Sequence, residues 1–206
     1  MIAWSIEAAI ESGCFDQVIV STDDTEIADV ARDWGALVPF MRPTELSDDH
    51  TGTIPVIAHA VQAVTREDYT PENICCIYAT APFVEASDLR RGFEALVGNG
   101  ADYAMSVTTF PFPIQRAVRI GHGNRLEMFH PEHFNTRSQD LDEAWHDAGQ
   151  FYWGRAHSWL ANKVLFGRDT VPVVLPRHRV QDIDTQEDWE RAEWMFRALA
   201  RNRGTP

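Results

Sequence analysis

The chain has 206 residues, of which 44% are hydrophobic and 24% are charged, a composition typical of a globular protein. The length suits one α/β domain with a core of its own. The formal net charge of −13 argues against nucleic acid and against an anionic membrane surface as partners. Lys163 is the only lysine among 18 basic residues, so a bound phosphate must meet arginine, backbone N–H groups or a metal ion.

The cysteines and the apolar segments indicate the compartment. Cys75 and Cys76 are adjacent within an apolar run and Cys14 is the third cysteine, which predicts free thiols in a reducing environment. No apolar run reaches the length of a membrane span, and no basic segment precedes the first apolar residues. We therefore expect a cytoplasmic protein.

The first forty residues alternate helices with short apolar runs. Residues 2–12 carry one apolar stripe and predict a helix, and residues 25–34 predict a second. Short strands are predicted over residues 17–21 and 36–40, the first of them parallel and covered on both faces. The polar residues 21–24 after the first strand either bind a ligand at the sheet edge or cap the second helix, and capping is the favoured interpretation.

The alternation continues to residue 107. A polar loop over residues 41–53 has a length and composition typical of functional loops, and a helix follows from about residue 54 to 66. Residues 73–78 predict a buried strand that runs into small residues, where a planar ligand could approach the backbone. A helix capped by Ser87-Asp88 and a strand over residues 102–107 complete this half.

The alternation of strands and helices breaks between residues 108 and 149. Residues 117–120 and 125–129 predict a hairpin around a glycine-containing turn. The segment is rich in aromatic and polar residues, so we expect an arm that packs on a second copy of the chain. The domain organisation predicted here is an α/β core of residues 1–107 and 150–206 with a dimerisation excursion of residues 108–149.

Four polar residues of the excursion and its end are candidate ligand contacts. Arg137 and Gln139 lie two positions apart and face one pocket if the segment is extended, or are two solvated side chains otherwise. Asp147 and Gln150 precede an aromatic strand-like run, which favours the pocket.

Near the C-terminus, an apolar run over residues 171–175 leads to an acidic pair, Asp182 and Asp184, and to a final helix over about residues 185–201. If the pair is extended, both carboxylates point to the same side and suit a hard divalent cation that also binds substrate phosphates. Alternatively, Asp184 or Thr185 caps the helix, and Thr185 with Asp188 imitates a capping box. Capping does not account for Asp182.

Several short motifs, in this order and spacing, resemble the cytidylyltransferases that activate nonulosonic acids, a family that includes the CMP-sialic acid synthetases. The resemblance is strongest to the pseudaminic acid branch and extends from Met1 to about Leu199. The motifs are the run from Ile2 to Ser21, Ser21-Thr22-Asp23, Val38-Pro39-Phe40-x-Arg42-Pro43-x-Glu45-Leu46, Thr80-x-Pro82, Phe134-Asn135-Thr136-Arg137-Ser138-Gln139-Asp140 and Asp182-Ile183-Asp184-Thr185-x-x-Asp188.

The resemblance implies a doubly wound, mostly parallel α/β nucleotidyltransferase fold of the Rossmann-like kind and a homodimer. It implies an enzyme that joins CTP and a nonulosonic acid into a CMP-sugar with release of pyrophosphate, using Mg²⁺. The implied roles are catalysis and metal binding for Asp182 and Asp184, nucleotide binding for Arg42, Thr53, Ala79, Thr80 and Ala81, and sugar binding for Arg137, Gln139, Asp147 and Gln150.

The chain departs from the family pattern in two places. Sialic acid members read Gln-Pro-Thr-Ser-Pro-Leu-Arg where this chain has Tyr78-Ala79-Thr80-Ala81-Pro82-Phe83-Val84, which favours the pseudaminic branch. Family members also carry a first strand and a glycine- and basic-rich loop before the helix that begins here at Ile2. Because that loop cradles the triphosphate, we expect weak or no catalysis and impaired stability from the 206 residues alone.

Two other functions are compatible with the residues. A glycosyltransferase also uses an acidic pair to hold a metal ion on a nucleotide sugar, and it would consume a preformed CMP-sugar instead of CTP. A non-catalytic dimeric ligand-binding protein would bind sugar or metal without turnover.

Overall fold

The computed structural model describes residues 1–203, which form helices and strands of an α/β domain. The helices are α1 (Ile2–Ser12), α2 (Thr25–Asp33), α3 (Thr53–Val64), α4 (Ala86–Gly98), α5 (Ala156–Leu160) and α6 (Gln186–Arg203). The strands are β1 (Asn73–Ile77), β2 (Tyr103–Thr109), β3 (Val118–Gly121), β4 (Arg125–Met128), β5 (Trp145–Arg155) and β6 (Thr170–Val174). No helix within residues 1–203 combines the length and the apolarity needed to cross a bilayer.

The main sheet has four strands in the order β1-β5-β2-β6. β2 and β6 are parallel, whereas β5 runs antiparallel to both β1 and β2. The predicted α/β class is confirmed, and the described sheet is mixed because β5, the longest strand, enters it from the excursion in the opposite direction. Its eleven residues join the excursion directly to the centre of the sheet.

Alternation along the strands divides the core into two layers. Ala104, Phe151 and Trp153 face the layer that contains α1 and α4 residues, where Leu89 and Leu96 are fully buried. The residues between them along the strands, Tyr103, Met105 and Tyr152, face the other layer. That layer also contains Trp159 of α5 and partly buried residues of α3. Helices therefore cover both faces, as a doubly wound fold requires.

The two strands predicted over residues 17–21 and 36–40 are reduced to a single parallel bridge between Ile19 and Leu37. Val20 N–H donates to Leu37 O at 2.9 Å, and Leu37 N–H donates to Val18 O at 2.8 Å. The extended segment over residues 17–21 is paired only along the edge that faces Leu37. Because its other edge has no partner among the described residues, the segment forms a bridge and not a full strand.

A cavity of about 550 Å³ separates this extended segment from β1. The bonds from Tyr78 N–H to Gln150 O and from Ala156 N–H to Glu72 O fix the register of β1 on β5. In that register the backbone groups of Asn73, Cys75 and Ile77 point away from β5. Among the described residues no strand pairs with this outer edge, which lines the cavity.

The predicted hairpin is confirmed as the two-stranded sheet of β3 and β4. Arg119 and Glu127 form an ion pair on one face, at 3.1 Å. The other face pairs Val118 with Met128 and Ile120 with Leu126, and it is apolar throughout. Ile120 and Leu126 are 72% and 73% exposed. An isolated two-stranded sheet is marginally stable, so an uncovered apolar face of this kind fits an interface.

Helix boundaries agree with the prediction except at α4. Gly13 ends α1 with a φ of 66°, in the left-handed region that glycine adopts readily. Ser87-Asp88 was predicted to cap α4, but this is wrong: the N-cap is Glu85 and makes no side-chain capping bond. Asp88 is instead buried within the helix, where its carboxylate accepts from Arg91 and Arg179.

Candidate active site

The acidic pair lies in the segment that connects β6 to α6. Thr185 and Asp188 form the capping box: Thr185 N–H and Oγ1 donate to Asp188 Oδ2 at 3.0 and 2.7 Å, and Asp188 N–H donates to Thr185 Oγ1 at 3.2 Å. Capping therefore belongs to Thr185 and Asp188. The exposed side chain of Asp184 takes no part in it, since only its backbone N–H contacts Asp188, at 3.4 Å.

Asp182 lies in an acidic environment. The residue is exposed, but partial desolvation raises the pKa of its carboxyl above the ordinary value, and the negative charges of Asp184 and Asp147 raise it further. Gly149 packs against this carboxylate, because a Cβ at that position would lie 3.3 Å from Asp182 Oδ1. The structure therefore brings Asp147 and Gly149, from the start of β5, next to the acidic pair.

A divalent cation fits this arrangement if the substrate supplies further ligands. Within residues 1–203 no three His, Cys, Asp or Glu side chains come together as a metal-binding group. Magnesium is commonly held by one or two carboxylates together with substrate phosphates and water, and two adjacent carboxylates meet that requirement. After desolvation, the negative charges of Asp184 and Asp147 also raise the pKa of Asp182, and a bound cation would neutralise these charges.

Arg42, Thr53 and Ala79, three of the predicted nucleotide-binding residues, line one cavity. Arg42 Nη2 lies 3.2 Å from Asp23 Oδ1, and its Nε donates to Ser47 Oγ at 3.0 Å. These contacts tie the long loop to the end of the extended segment that begins at residue 17. The guanidinium is thus held in place at the cavity before any ligand arrives.

The small residues that follow β1 form a turn. Ala79 and Thr80 are exposed, whereas Ala81 is 2% exposed and packs in the core. Ala81 can therefore offer only backbone groups to a ligand. The preceding Tyr78 lines the cavity, and its hydroxyl lies 2.9 Å from Thr53 Oγ1.

The predicted sugar-binding residues do not form a single cluster. Arg137 donates from Nε and Nη2 to Asp140, at 2.7 and 3.0 Å, and Gln139 is exposed on a 3-10 turn from Ser138 to Asp140. The segment is not extended, so the alternation used to place both side chains on one face does not apply.

Asp147 and Gln150 lie closer to the acidic pair, but only Asp147 is accessible. Asp147 is half-buried, whereas Gln150 is 2% exposed and donates from Nε2 to the backbone carbonyl of Arg179 at 2.5 Å. Gln150 therefore anchors the segment that leads to the acidic pair. Its Oε1 is buried without a hydrogen-bond partner within residues 1–203.

Sequence reasoning missed two residues of this region, Tyr152 and Arg179. Tyr152 donates to Asp147, and Arg179 contacts Asp88 and Glu85 beneath the segment that carries the acidic pair. The alternation of residues 151–154 predicts that Tyr152 faces the layer opposite Phe151 and Trp153. No sequence signal pairs it with Asp147, five residues away across a bend in the strand.

Over most of its length the chain is similar in sequence to known proteins. The profile of a family described as "Cytidylyltransferase" matches residues 1–166. A pseudaminic acid cytidylyltransferase from Campylobacter jejuni is 39% identical over 197 residues, which cover 96% of this chain and 85% of the relative. A CMP-N,N′-diacetyllegionaminic acid synthase from Legionella pneumophila is 27% identical over 200 residues, covering 94% of this chain and 83% of the relative.

Solved structures share the fold. A CMP:2-keto-3-deoxy-manno-octonic acid synthetase in complex with CTP superposes with a TM-score of 0.64 at 13% identity, covering 98% of this chain and 88% of the other. A 4-diphosphocytidyl-2C-methyl-D-erythritol synthase from Anaerococcus prevotii superposes with a TM-score of 0.63 at 12% identity, covering 95% and 85%. At these identities the likeness shows the fold alone.

Proposed function

The chain belongs to the cytidylyltransferase family, and from this premise we propose that it joins CTP to pseudaminic acid to give a CMP-sugar and pyrophosphate. The observation that carries the proposal is the 39% identity to a pseudaminic acid cytidylyltransferase over 96% of the chain. The lower identity of 27% to a legionaminic acid enzyme favours pseudaminic acid among the nonulosonic acids.

In the proposed reaction the anomeric hydroxyl of the sugar acid attacks the α-phosphorus of CTP. A new P–O bond forms between the sugar oxygen and the α-phosphorus, and the bond from the α-phosphorus to the bridging oxygen breaks. Pyrophosphate leaves with that electron pair, and the hydroxyl proton is released. Such a transfer depends on positioning and on neutralising phosphate charge. Arg42, Thr53 and the turn over residues 79–81 hold the cytidine part, and the cavity that Arg42, Thr53 and Ala79 line together supports this.

Asp182 and Asp184 hold Mg²⁺ in this proposal. When bound, the ion supplies positive charge to the phosphate oxygens and orients the two substrates. The free carboxylate of Asp184 and the acidic environment of Asp182 support this role. Of the residues proposed for sugar binding, Asp147 lies near this pair, and Gln150 fixes the adjacent segment. Arg137 and Gln139 would contact the sugar from the excursion.

We further infer that the enzyme works as a homodimer in the cytoplasm, with residues 108–149 as the arm that meets the second copy. The exposed apolar face of β3 and β4 supports the dimer. The three free cysteines, Cys14, Cys75 and Cys76, suit a reducing compartment.

The proposal is tested by incubating the chain with CTP, Mg²⁺ and pseudaminic acid, and by following pyrophosphate release and CMP-sugar formation by mass spectrometry. Legionaminic and N-acetylneuraminic acids serve as parallel substrates. We expect the highest kcat/KM with pseudaminic acid and loss of turnover with a chelator. Preference for another acid would contradict the assigned sugar, and consumption of a preformed CMP-sugar without use of CTP would favour a glycosyltransferase.

A further inference from the structure

We propose that Tyr152 is a positioning residue that fixes the carboxylate of Asp147 on the sugar-binding side of the site; this inference rests on the proposed function. Tyr152 lies on β5 at the centre of the sheet and does not line the cavity that holds Arg42 and Thr53. It acts through Asp147 and does not itself touch substrate.

Each oxygen of the Asp147 carboxylate has its own donor. The Tyr152 hydroxyl donates to Oδ2 at 2.5 Å, and Gly149 N–H donates to Oδ1 at 2.8 Å. A carboxylate bonded through one oxygen can turn about its last torsion, but one bonded through both oxygens is held in a single orientation. Removing the tyrosine hydroxyl leaves only the Gly149 bond, so Asp147 gains that freedom.

The turn that supplies the second donor also touches the acidic pair. Gly149 has a φ of 62°, in the left-handed region, and a side chain there would meet Asp182 at 3.3 Å. Both the backbone angle and this close contact favour glycine at the position. A shift of Asp147 would pull on the backbone against which Asp182 packs.

Tyr152 is itself held rigidly. It is 2% exposed, within a cluster that contains Tyr103, Met105 and Trp159. Burial raises the pKa of Tyr152 above its ordinary range, and the hydrogen bond to Asp147 raises it further. The phenol therefore stays protonated and acts as a donor. A phenylalanine would fill the same space without burying a hydroxyl, so a tyrosine here is accounted for by its bond to Asp147.

A second tyrosine extends the arrangement toward the nucleotide side. The ring of Tyr78 lies 5.3 Å from the ring of Tyr152, and its hydroxyl lies 2.9 Å from Thr53 Oγ1. The two phenols thus stand between Thr53 in the cavity and Asp147 beside the acidic pair. The ring contact is kept in Tyr152→Phe, so the substitution removes only the hydroxyl that holds Asp147.

The test is a double-mutant cycle of Tyr152→Phe and Asp147→Ala, which each remove the hydrogen bond, with kcat and KM measured separately for CTP and for the sugar acid. We expect Tyr152→Phe to lower kcat/KM for the sugar acid by about tenfold, as loss of a hydrogen bond to a charged group predicts, with KM for CTP unchanged. In the Asp147→Ala background, where the hydroxyl has lost its acceptor, the same change should lower kcat/KM by less than about twofold.

Tyr103→Phe is the matched control. Tyr103 lies fully buried in the same cluster, and its hydroxyl donates to Lys163 O at 3.2 Å, away from Asp147. It should leave both kinetic constants unchanged. Equal losses for both substrates in Tyr152→Phe, or additive effects in the cycle, would overturn the positioning role while the function stands. Failure of the unaltered chain both to bind CTP, measured by calorimetry, and to make a CMP-sugar would remove the function and this inference together.

Discussion

Nη1 of Arg179 lies 2.6 Å from Oδ2 of Asp88, and the Asp88 side chain is almost entirely buried. This ion pair joins α4 to the segment that precedes the acidic pair. The backbone carbonyl of Arg179 also accepts the Gln150 amide from β5. One residue therefore fixes the position of the acidic segment on both a helix and the sheet.

Asp88→Ala should lower the free energy of unfolding by about 3 kcal/mol. Loss of one partner leaves a buried charge uncompensated, which costs about 3–5 kcal/mol, and Glu85 at 3.2 Å keeps the loss near the lower limit. Urea unfolding followed by tryptophan fluorescence measures it. Asp29→Ala, which breaks an exposed pair with Arg32, is the control and should cost at most about 0.5 kcal/mol. Equal costs for the two variants would contradict a structural role for Asp88.

The two functions of the acidic stretch can be separated by substitution. Thr185→Ala removes the capping bonds and should lower stability by about 1 kcal/mol while turnover is retained. Asp184→Asn leaves the cap intact and should lower Mg²⁺-dependent turnover by roughly 100-fold without changing stability in metal-free buffer. Calorimetric unfolding and pyrophosphate release measure the two effects. A stable but fully active Asp184→Asn variant would exclude this carboxylate from the metal site.

Asp182→Asn should have two effects. It should abolish activity, and it should stabilise the metal-free protein. The pKa of Asp182 is raised in the folded state, so its ionised form is disfavoured there relative to the unfolded chain. The increase in the free energy of unfolding that the substitution brings is therefore complete at pH values above the folded-state pKa. It decreases as the pH falls from that pKa toward the ordinary pKa of 3.8. Thermal unfolding of the variant and of the unaltered chain across this pH range measures the change in stability. Glu190→Gln on α6 is the control.

Mg²⁺ provides an independent check on Asp182. The ion should raise the unfolding temperature of the unaltered chain and should have less effect on Asp182→Asn, because binding to the folded state alone is stabilising. Equal shifts in both proteins would place the ion elsewhere.

How far the sequence predicts this molecule depends on the range of the interactions involved. The helix from residue 2 to 12, the hairpin and the capping box of Thr185 and Asp188 follow from local periodicity and turn chemistry, and the structure confirms them. The antiparallel direction of β5 does not follow from any local pattern, because it depends on the path of the whole excursion. The burial of Asp88 was missed for the same reason, since its partner Arg179 is 91 residues away.

For the candidate site, too, the sequence predicts some features and not others. The motif resemblance placed Arg42, Thr53 and Ala79 together, and the structure lines one cavity with them. It also placed Gln150 at the site, but only the packed structure reveals that its amide is already used by Arg179. Residue identity thus indicated the region, whereas accessibility and hydrogen-bond partners depend on tertiary packing.

Leu126→Glu should convert a dimer into a monomer if the apolar face of the hairpin is the interface. The substitution places a charge among Val118, Ile120 and Met128, where burial against a second copy would leave it unpaired. His122→Glu adds the same side chain at the exposed tip of the hairpin and is the matched control. Sedimentation velocity of the three proteins distinguishes the outcomes. A Leu126→Glu protein that sediments as the unaltered chain does would exclude this face.

The rate of amide hydrogen exchange should alternate from one residue to the next along β1. Ile74 and Cys76 share backbone bonds with β5, whereas the N–H groups of Asn73, Cys75 and Ile77 point toward the 550 Å³ cavity. An unpaired strand edge exchanges through small local openings, so we expect the amides of these three residues to exchange roughly 100-fold faster than their neighbours. Hydrogen exchange followed by NMR resolves single residues, and the same strand provides its own control. Equal protection at Cys75 and Cys76 would mean that the outer edge of β1 has a partner in solution, and the cavity beside it would then be filled.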